Sequence, residues 1–448
     1  MAEIKIAYIG GGSRGWAWGL MSDLAGEEDL YGQVDLYDID FEAARANEII
    51  GNQYSEHWTY RATKTIGEAL TGADFVVISI LPGTFDEMES DVHTPEKYGI
   101  YQSVGDTSGP GGIIRAMRTI PMFEEIGENI KKYAPEAWVI NYTNPMTLCV
   151  KTLYRVFPEI KAFGCCHEVF GTQKLLAKMV EEEFGILPER DEIKVNPVGV
   201  NHFTWLTSAS WNGKNLFPYY KRFCNKYKEG YSKRTDKNWM NNFFHSEEKV
   251  KMDLFLRFGW IAAAGDRHLA EFCPGNWYLE SPERVKEMHF GLTPVSWRKR
   301  NLEERLEKSR KMLSGELPIA RKETGEEGVR QMKALLGMGD LITNVNIPNI
   351  GQIPNLPLGA VVETNAIFRG GELKPVMAGA IPKEILPLIG RICHEQEALS
   401  QAIADRDLDA IFRQFAGDPL VTCGYEDARK LFDEMVENTK EYLKDYEL

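Results

Sequence analysis

Short apolar segments alternate with amphipathic ones through the first 200 residues. Four short apolar runs bounded by turn residues predict strands at residues 4–9, 34–38, 75–80 and 138–141. Helical periodicity fills the intervals, at residues 16–24, 42–58, 66–70 and 119–133. This alternation predicts an α/β fold that begins with a parallel, Rossmann-type sheet.

The pattern changes near residue 200. Residues 204–211 alternate between polar and apolar side chains, and Asn212-Gly213 follows, which predicts an antiparallel hairpin with a tight turn. We therefore predict a Rossmann NAD-binding domain over residues 1–197 and an α+β domain over residues 198–448. The second domain would carry substrate, metal and oligomer contacts, in an architecture that resembles the lactate and malate dehydrogenases.

A glycine-rich turn follows the first predicted strand. Gly10, Gly12 and Gly15 have the spacing G-x-G-x-x-G, in which the glycines allow a tight turn, close approach of a pyrophosphate and helix packing. Ser13 lies in the same turn, and the helix that follows presents free N–H groups to an anion. Asp38 ends the second strand, where a carboxylate accepts hydrogen bonds from ribose hydroxyls and favours NAD over NADP.

Two further strand ends carry polar residues where parallel sheets bind ligands. Ser79 lies near the end of the third strand, which is expected to run along the dinucleotide. The fourth leads into Asn144-Pro145, as in the lactate and malate dehydrogenases, so Asn144 is a candidate to hold a substrate oxygen beside the nicotinamide. Residues 104–112 are glycine-rich around the carboxylate of Asp106, and we predict a loop there, a common place for binding residues.

The densest group of reactive side chains is Cys-Cys-His-Glu at residues 165–168. Cys166 and His202 both stand at predicted strand ends, and a thiolate with an imidazole suits a divalent metal. Two protein ligands would leave positions open for water and substrate, whereas buried cysteines without a metal are small hydrophobic residues. The charged triplet at residues 266–268 directly follows an apolar segment, where charge must be paired or functional.

Composition excludes some classes of function. The net charge of −14 argues against nucleic acid and anionic membrane surfaces as general partners. No apolar run approaches the ~20 residues of a membrane span. Seven cysteines without a scaffold pattern, and a start that leads straight into a strand, predict a cytoplasmic protein. We also expect a small-molecule substrate and a homo-oligomer, either a dimer or a tetramer.

Taken in order, these motifs resemble glycoside hydrolase family 4, whose members use NAD and a divalent metal, usually manganese. The matching pieces span essentially the whole chain: residues 9–13, 36–40, 106, 109–112, 144–145, 166–167, 199–202 and 265–266. The resemblance implies loss of a hydride from C3 of the sugar and polarisation of the resulting ketone by the metal. A base then removes the C2 proton, the C1 oxygen leaves, water adds and the hydride returns without net redox change.

The resemblance also implies roles for individual residues. It assigns Cys166 and His202 to the metal and Asn144 to a substrate hydroxyl. Asp266 corresponds to the base, which is a tyrosine in the phospho-glycosidases of the family. Asp106 falls where the family carries an acid that supports the base.

The tetrapeptide at residues 166–169, Cys-His-Glu-Val, resembles the subgroup associated with α-galacturonides. His167 follows the metal-binding cysteine, where α-specific phospho-enzymes have an acidic general acid, so it would donate a proton or hold a sugar hydroxyl. Glu168 and His268 are expected to contact substrate. A uronate requires a cation for its carboxylate, and Arg267 is our candidate.

Several alternatives remain open from the residues alone. Another α-glycoside, such as an α-glucuronide, α-galactoside or α-glucoside, is the alternative substrate. A 2-hydroxyacid dehydrogenase would use the Rossmann half and Asn144 without a metal, and would accumulate NADH. A redox sensor built on Cys165 and Cys166 would show neither turnover nor a metal requirement.

Overall fold

The computed structural model describes residues 2–231, 244 and 246–448. Within these residues, strands form one sheet of nine and one of four. The strands are β1 (Ala2–Ile9), β2 (Leu30–Tyr37), β3 (Trp58–Thr63), β4 (Phe75–Ile78), β5 (Trp138–Asn141), β6 (Lys161–Gly164), β7 (Lys194–Val200), β8 (Phe203–Trp211), β9 (Lys214–Asn215), β10 (Ile261–Ala262), β11 (Leu341–Pro348), β12 (Val361–Arg369) and β13 (Glu372–Pro375).

Helices cover both faces of the larger sheet and make up most of the C-terminal region. The α-helices of the described residues are α1 (Trp16–Leu24), α2 (Phe41–Gly51), α3 (Ile66–Leu70), α4 (Phe85–His93), α5 (Gly109–Tyr133), α6 (Met146–Val156), α7 (Glu168–Phe184), α8 (Phe217–Lys226), α9 (Lys249–Phe258), α10 (Asp266–Phe272), α11 (Gly275–Tyr278), α12 (Pro282–Glu287), α13 (Val295–Leu313), α14 (Gly328–Leu335), α15 (Leu386–Ala404), α16 (Leu408–Gly417) and α17 (Tyr425–Thr439). Short 3-10 helices lie at Pro95–Tyr98, Arg190–Glu192 and Lys440–Tyr442.

The N-terminal part confirms the predicted α/β class. Six strands pair in parallel in the order β3-β2-β1-β4-β5-β6, which is the Rossmann order. Along β1, Ile6 and Tyr8 face one apolar cluster while Ala7 and Ile9 face another. Both faces are therefore buried, as a central parallel strand requires. The strand order reverses between β1 and β4, and ligands bind at such a switch point.

The rest of the chain completes this sheet and adds a second one. Strand β11 pairs antiparallel with β6 through Asn346 and Gly164, and β12 and β13 extend the edge. The second sheet contains the predicted hairpin, whose turn residues Asn212 and Gly213 both have positive φ, at 47° and 74°. The predicted domain boundary at residues 197/198 falls inside β7. Strands β11 to β13, from the C-terminal part of the chain, join the N-terminal sheet. The boundary stays a prediction.

Two local predictions were wrong. The helix predicted over residues 42–58 ends at Gly51, and Trp58 begins a strand, because a turn at residues 52–54 reverses the chain. The loop predicted over residues 104–112 becomes helical at Gly109, since Pro110 occupies the first turn, where its missing N–H needs no partner. Among the described residues, no helix is both long and apolar enough to cross a membrane.

Candidate active site

The glycine turn lies at the switch point of the large sheet. The N–H groups of Gly10 and Gly11 both donate to the Tyr37 carbonyl at 2.9 Å, and Gly10 has a φ of 91°. A Cβ on Gly12 would lie 2.6 Å from the Cβ of Ala43. The turn can therefore pack this closely against Ala43 and the Asp38 carboxylate only because the residue is glycine.

Asp38 is drawn onto this turn. Its Oδ2 accepts a 2.9 Å hydrogen bond from the Gly12 N–H, and its Oδ1 accepts from the Asp40 N–H. Burial raises the pKa of Asp38 despite these bonds. Ser13 donates its N–H to the Gly10 carbonyl, and Ser79 donates its N–H to the Ile9 carbonyl. The structure thus gathers these predicted cofactor residues around one turn.

A second group of polar side chains lies beyond Asn144. Among the described residues, the side chains of Asp106, His202 and His268 offer ligand atoms within 4.8 Å of one another. The rings of His202 and His268 stack with centroids 4.0 Å apart. Thr107 connects the group, because its hydroxyl donates to Asp106 at 2.7 Å and lies 3.1 Å from Nδ1 of His202.

Burial and neighbouring charges set the protonation states of Asp106 and His202. Burial alone would raise the pKa of Asp106, but His268, His202 and Arg115 hold it well below its usual range. Burial, followed by His268, lowers the pKa of His202 to about 3. At neutral pH His202 is therefore a neutral imidazole with a lone pair, and Asp106 is an anion. A neutral imidazole is the form that binds a metal.

Asn144 joins the two groups. Its Nδ2 donates to Oδ2 of Asp106 at 3.4 Å, while its Oδ1 is buried without a hydrogen-bond partner among the described residues. Its carbonyl accepts from Nε of Arg115 at 3.1 Å. An unsatisfied buried oxygen costs free energy, which indicates that a hydroxyl or another donor supplied from outside completes the site.

The 165–168 segment borders the same group. Cys165 and Cys166 are buried and unoxidised, and burial is the main cause that raises the pKa of each thiol. Such thiols react slowly, which disfavours a redox sensor. Cys166 lies outside the three-residue group, but its thiol contacts Asn201, the residue before His202. The thiol therefore lies next to the residue that precedes His202.

The next two residues diverge in role. His167 is half exposed, and its Nδ1 lies 3.0 Å from Glu326. This hydrogen bond is the main cause that raises the pKa of His167. Glu168 accepts the Gly265 N–H at 2.6 Å. Burial opposes its ionisation, yet His268 and its neighbours lower the pKa of Glu168 to about 2.

Asp266 and Arg267 make their hydrogen bonds outside the three-residue group. Oδ1 of Asp266 accepts the Lys251 N–H at 3.0 Å, at the start of α9, and its pKa is raised by burial first and by Glu248 second. Arg267 donates to the backbone carbonyls of Ser103 and Gly291 and to the Thr293 hydroxyl. Both therefore serve as structural anchors in this geometry, and their predicted catalytic and carboxylate-binding roles stay predictions.

Sequence reasoning missed several residues that build the site. Thr107 adjoins Asp106 and could have been found by adjacency. Glu326 and Arg298 lie in segments without a motif, whereas Glu271 lies on the helix of the charged triplet but outside the triplet itself. The predicted Gly15 lies against the guanidinium of Arg305, which belongs to the distant α13.

Comparison with known proteins gives consistent matches. The family model described as family 4 glycosyl hydrolase matches residues 5–182, and the model of that family's C-terminal domain matches residues 197–421. An α-galacturonidase of Thermoanaerobacterium saccharolyticum is 61% identical over 100% of the chain and 98% of that protein. A solved Bacillus subtilis structure, named as a glucosidase, LplD, is 51% identical, with a TM-score of 0.93 over 97% of the chain and 100% of that chain. The fold is shared by a 6-phospho-α-glucosidase from gut microorganisms, solved with NAD and Mn²⁺, at 19% identity and a TM-score of 0.81 over 98% and 99% of the two chains.

Proposed function

Because the chain belongs to family 4 of the glycosyl hydrolases, we propose that it is an α-galacturonidase. The observation that carries this proposal is its identity of 61% with an α-galacturonidase along the whole chain. The reaction is hydrolysis of the bond between an α-linked galacturonic acid unit and its aglycone. An ordinary 2-hydroxyacid dehydrogenase has no use for a buried thiol beside His202, and the family places the chain among glycosidases.

The residues present fit NAD as a resident cofactor. The glycine turn allows a pyrophosphate to approach the backbone at Gly12, and Asp38 lies where its carboxylate can accept hydrogen bonds from ribose hydroxyls. For this to happen, the hydrogen bond from the Gly12 N–H to Asp38 must yield to the ligand. Ser79 and Asn144 then lie along the nicotinamide end, with the unsatisfied Asn144 Oδ1 available to a sugar hydroxyl.

The residues also fit a divalent metal, for which Mn²⁺ is our proposal. His202 is neutral and buried, and the thiol of Cys166 contacts Asn201, the residue before His202. We assign these two as ligands, as in the family pattern, with open positions for water and sugar oxygens. When bound, NAD and the metal would supply hydride transfer at C3 and Lewis-acid polarisation of the resulting carbonyl.

This assignment leaves His268 and Asp106 for proton transfer. His268 has a buried Nδ1 without a partner among the described residues, so it can accept the C2 proton. Asp106 is anionic beside it and would stabilise the imidazolium that forms. His167, whose pKa is raised by Glu326, is the group that we assign to protonate the leaving oxygen.

The alternative is that Asp106, His202 and His268 together hold the metal, since their ligand atoms lie within 4.8 Å of one another. Titration with Co²⁺ distinguishes the two arrangements, because a thiolate ligand gives a charge-transfer band in the near ultraviolet. We expect the band in the unmodified protein and its loss in Cys166→Ser, with metal affinity retained in His268→Gln. Loss of affinity in His268→Gln and no thiolate band would favour the three-residue site.

The test of the function is a panel of p-nitrophenyl glycosides assayed with NAD, Mn²⁺ and a thiol reductant. The α-galacturonide should be cleaved without net NADH, whereas a dehydrogenase would accumulate NADH. Cleavage of a different sugar, with the α-galacturonide inert, would refute the substrate. Solvent deuterium should appear at C2 of the product, and its absence would refute the elimination step.

A further inference from the structure

The guanidinium of Arg298 has no counter-ion among the residues that the structure describes. Arg298 is the fourth residue of α13, partly buried, and forms neither a hydrogen bond nor an ion pair with any residue that the structure describes. Its Cζ lies 5.6 Å from the ring centroid of Phe244, a contact that holds the guanidinium in position. Burial lowers its pKa, and a cation near a helix N-terminus also opposes the helix dipole.

Helix α13 places Arg298 at the sugar end of the site. Seven residues further on, which is about two turns and 10 Å along the same helix face, Arg305 donates to the Arg14 carbonyl at the glycine turn. At the other end, Thr293 accepts from Arg267, the residue before His268. One face of α13 therefore runs from the dinucleotide turn towards Asp106, whose charge acts on Arg298.

Neighbouring guanidinium groups have other partners. Arg267 donates hydrogen bonds to Ser103, Gly291 and Thr293. Arg115 is buried and donates from Nε to the Asn144 carbonyl. Among the described residues around Asp106, Arg298 is thus the guanidinium with no acceptor.

We propose that Arg298 binds the C6 carboxylate of the galacturonic acid unit, and so selects uronic acids over neutral sugars. This inference rests on the proposed function and names the residue that recognises its acidic group. A guanidinium and a carboxylate pair through two parallel N–H···O bonds. A neutral hydroxymethyl group at C6 cannot replace that pairing and would leave Arg298 unpaired, which is how a polar site rejects an analogue.

The experiment compares inhibition by D-galacturonate and by D-galactose, using cleavage of the p-nitrophenyl α-galacturonide by the NAD- and Mn²⁺-loaded enzyme. Arg298→Ala should raise the inhibition constant of galacturonate and KM by roughly 10- to 100-fold, while the constant of galactose stays unchanged. Arg298→Lys keeps the charge but loses the paired geometry. Its inhibition constant for galacturonate should therefore lie between those of the parent enzyme and Arg298→Ala. Arg300→Ala, an exposed arginine of the same helix, is the matched control and should match the parent enzyme.

Each outcome bears on a different claim. If the parent enzyme leaves the α-galacturonide intact, the proposed function fails, and this inference falls with it. If the parent enzyme cleaves it but both Arg298 variants bind galacturonate normally, only the role of Arg298 is refuted. Equal weakening of galacturonate and galactose would also refute it, since that pattern reports a general disturbance. A selective loss in Arg267→Ala, with Arg298→Ala intact, would return the role to Arg267.

Discussion

Glu271 offers a sharp test of how the site is held. This residue of α10 is 1% exposed, and its Oε1 accepts the N–H groups of Val104 and Gly105 at 2.6 and 3.0 Å, directly before Asp106. Burial raises its pKa to about 8 from 4.5, so the carboxyl is mostly protonated at neutral pH. Glu271→Gln mimics that protonated form, whereas Glu271→Ala leaves two buried donors unpaired, at about 1–3 kcal/mol each.

The pH dependence of unfolding separates these variants. Between pH 4.5 and 8 the folded protein keeps a proton on Glu271 that the unfolded chain has released, so this group's contribution to stability falls as pH rises. The slope is about 1.4 kcal/mol per pH unit, or roughly 3 kcal/mol over two units. Glu271→Gln lacks this loss, so its stability relative to the parent protein should increase with pH across that window.

The assay is urea or thermal unfolding at several pH values, together with kcat on the α-galacturonide. Glu271→Ala should be destabilised and should lose kcat, because the backbone that carries Asp106 is released. Glu395→Gln removes a partly buried acid, one that pairs with Arg391 and makes no hydrogen bond to that backbone, and should keep kcat. Identical pH slopes for the parent protein and Glu271→Gln would refute the reasoning, as would an unaffected Glu271→Ala.

Three further predictions concern the cofactor turn and the core. Gly12→Ala should weaken NAD binding at least about 10-fold by calorimetry, since the new methyl group would collide with Ala43 and displace the Asp38 carboxylate. Gly171→Ala, where a Cβ meets nothing within 4 Å, should bind normally. Asp38→Asn should weaken NAD binding and reduce its preference over NADP, because the acceptor charge that repels a 2′-phosphate is removed; an unchanged NAD/NADP ratio would contradict this. Arg118→Met should cost about 3–5 kcal/mol of unfolding free energy, because it strands the buried carboxylate of Asp91, and a stability change below 1 kcal/mol would show that the ion pair is dispensable.

The fold could be predicted because its signals are local. The glycine turn, the short apolar strands and the Asn212-Gly213 hairpin are each set by neighbouring residues. Two predicted helix boundaries were wrong because they depend on contacts that lie outside the local pattern. Helix α2 ends at Gly51 because of the turn that follows. Helix α5 starts early, at Gly109, whose N–H is accepted by the Asp418 carboxylate. Local periodicity reveals neither contact.

The site could be predicted only where motifs carried it. Asp106, Asn144, His202 and their neighbours were predicted from strand ends and from the family pattern, and the structure brings them together. The orientation of a side chain is a tertiary property, however. The sequence places Asp266 two residues before His268, yet the carboxylate bonds to the start of α9 while the imidazole stacks on His202.

Helix α10 explains why adjacent charged residues have separate tasks. His268 belongs to the three-residue group, whereas Arg267 and Glu271 bind the backbone of residues 103–105, directly before Asp106. The same short helix therefore carries one reactive side chain and fixes the position of the other. Because Arg267 already binds the Ser103 carbonyl, we proposed Arg298 on α13 as the cation for the sugar's carboxylate. An arginine whose guanidinium already has acceptors in the protein holds a loop, whereas one without acceptors can bind substrate. The position of an arginine in the sequence does not show which case applies.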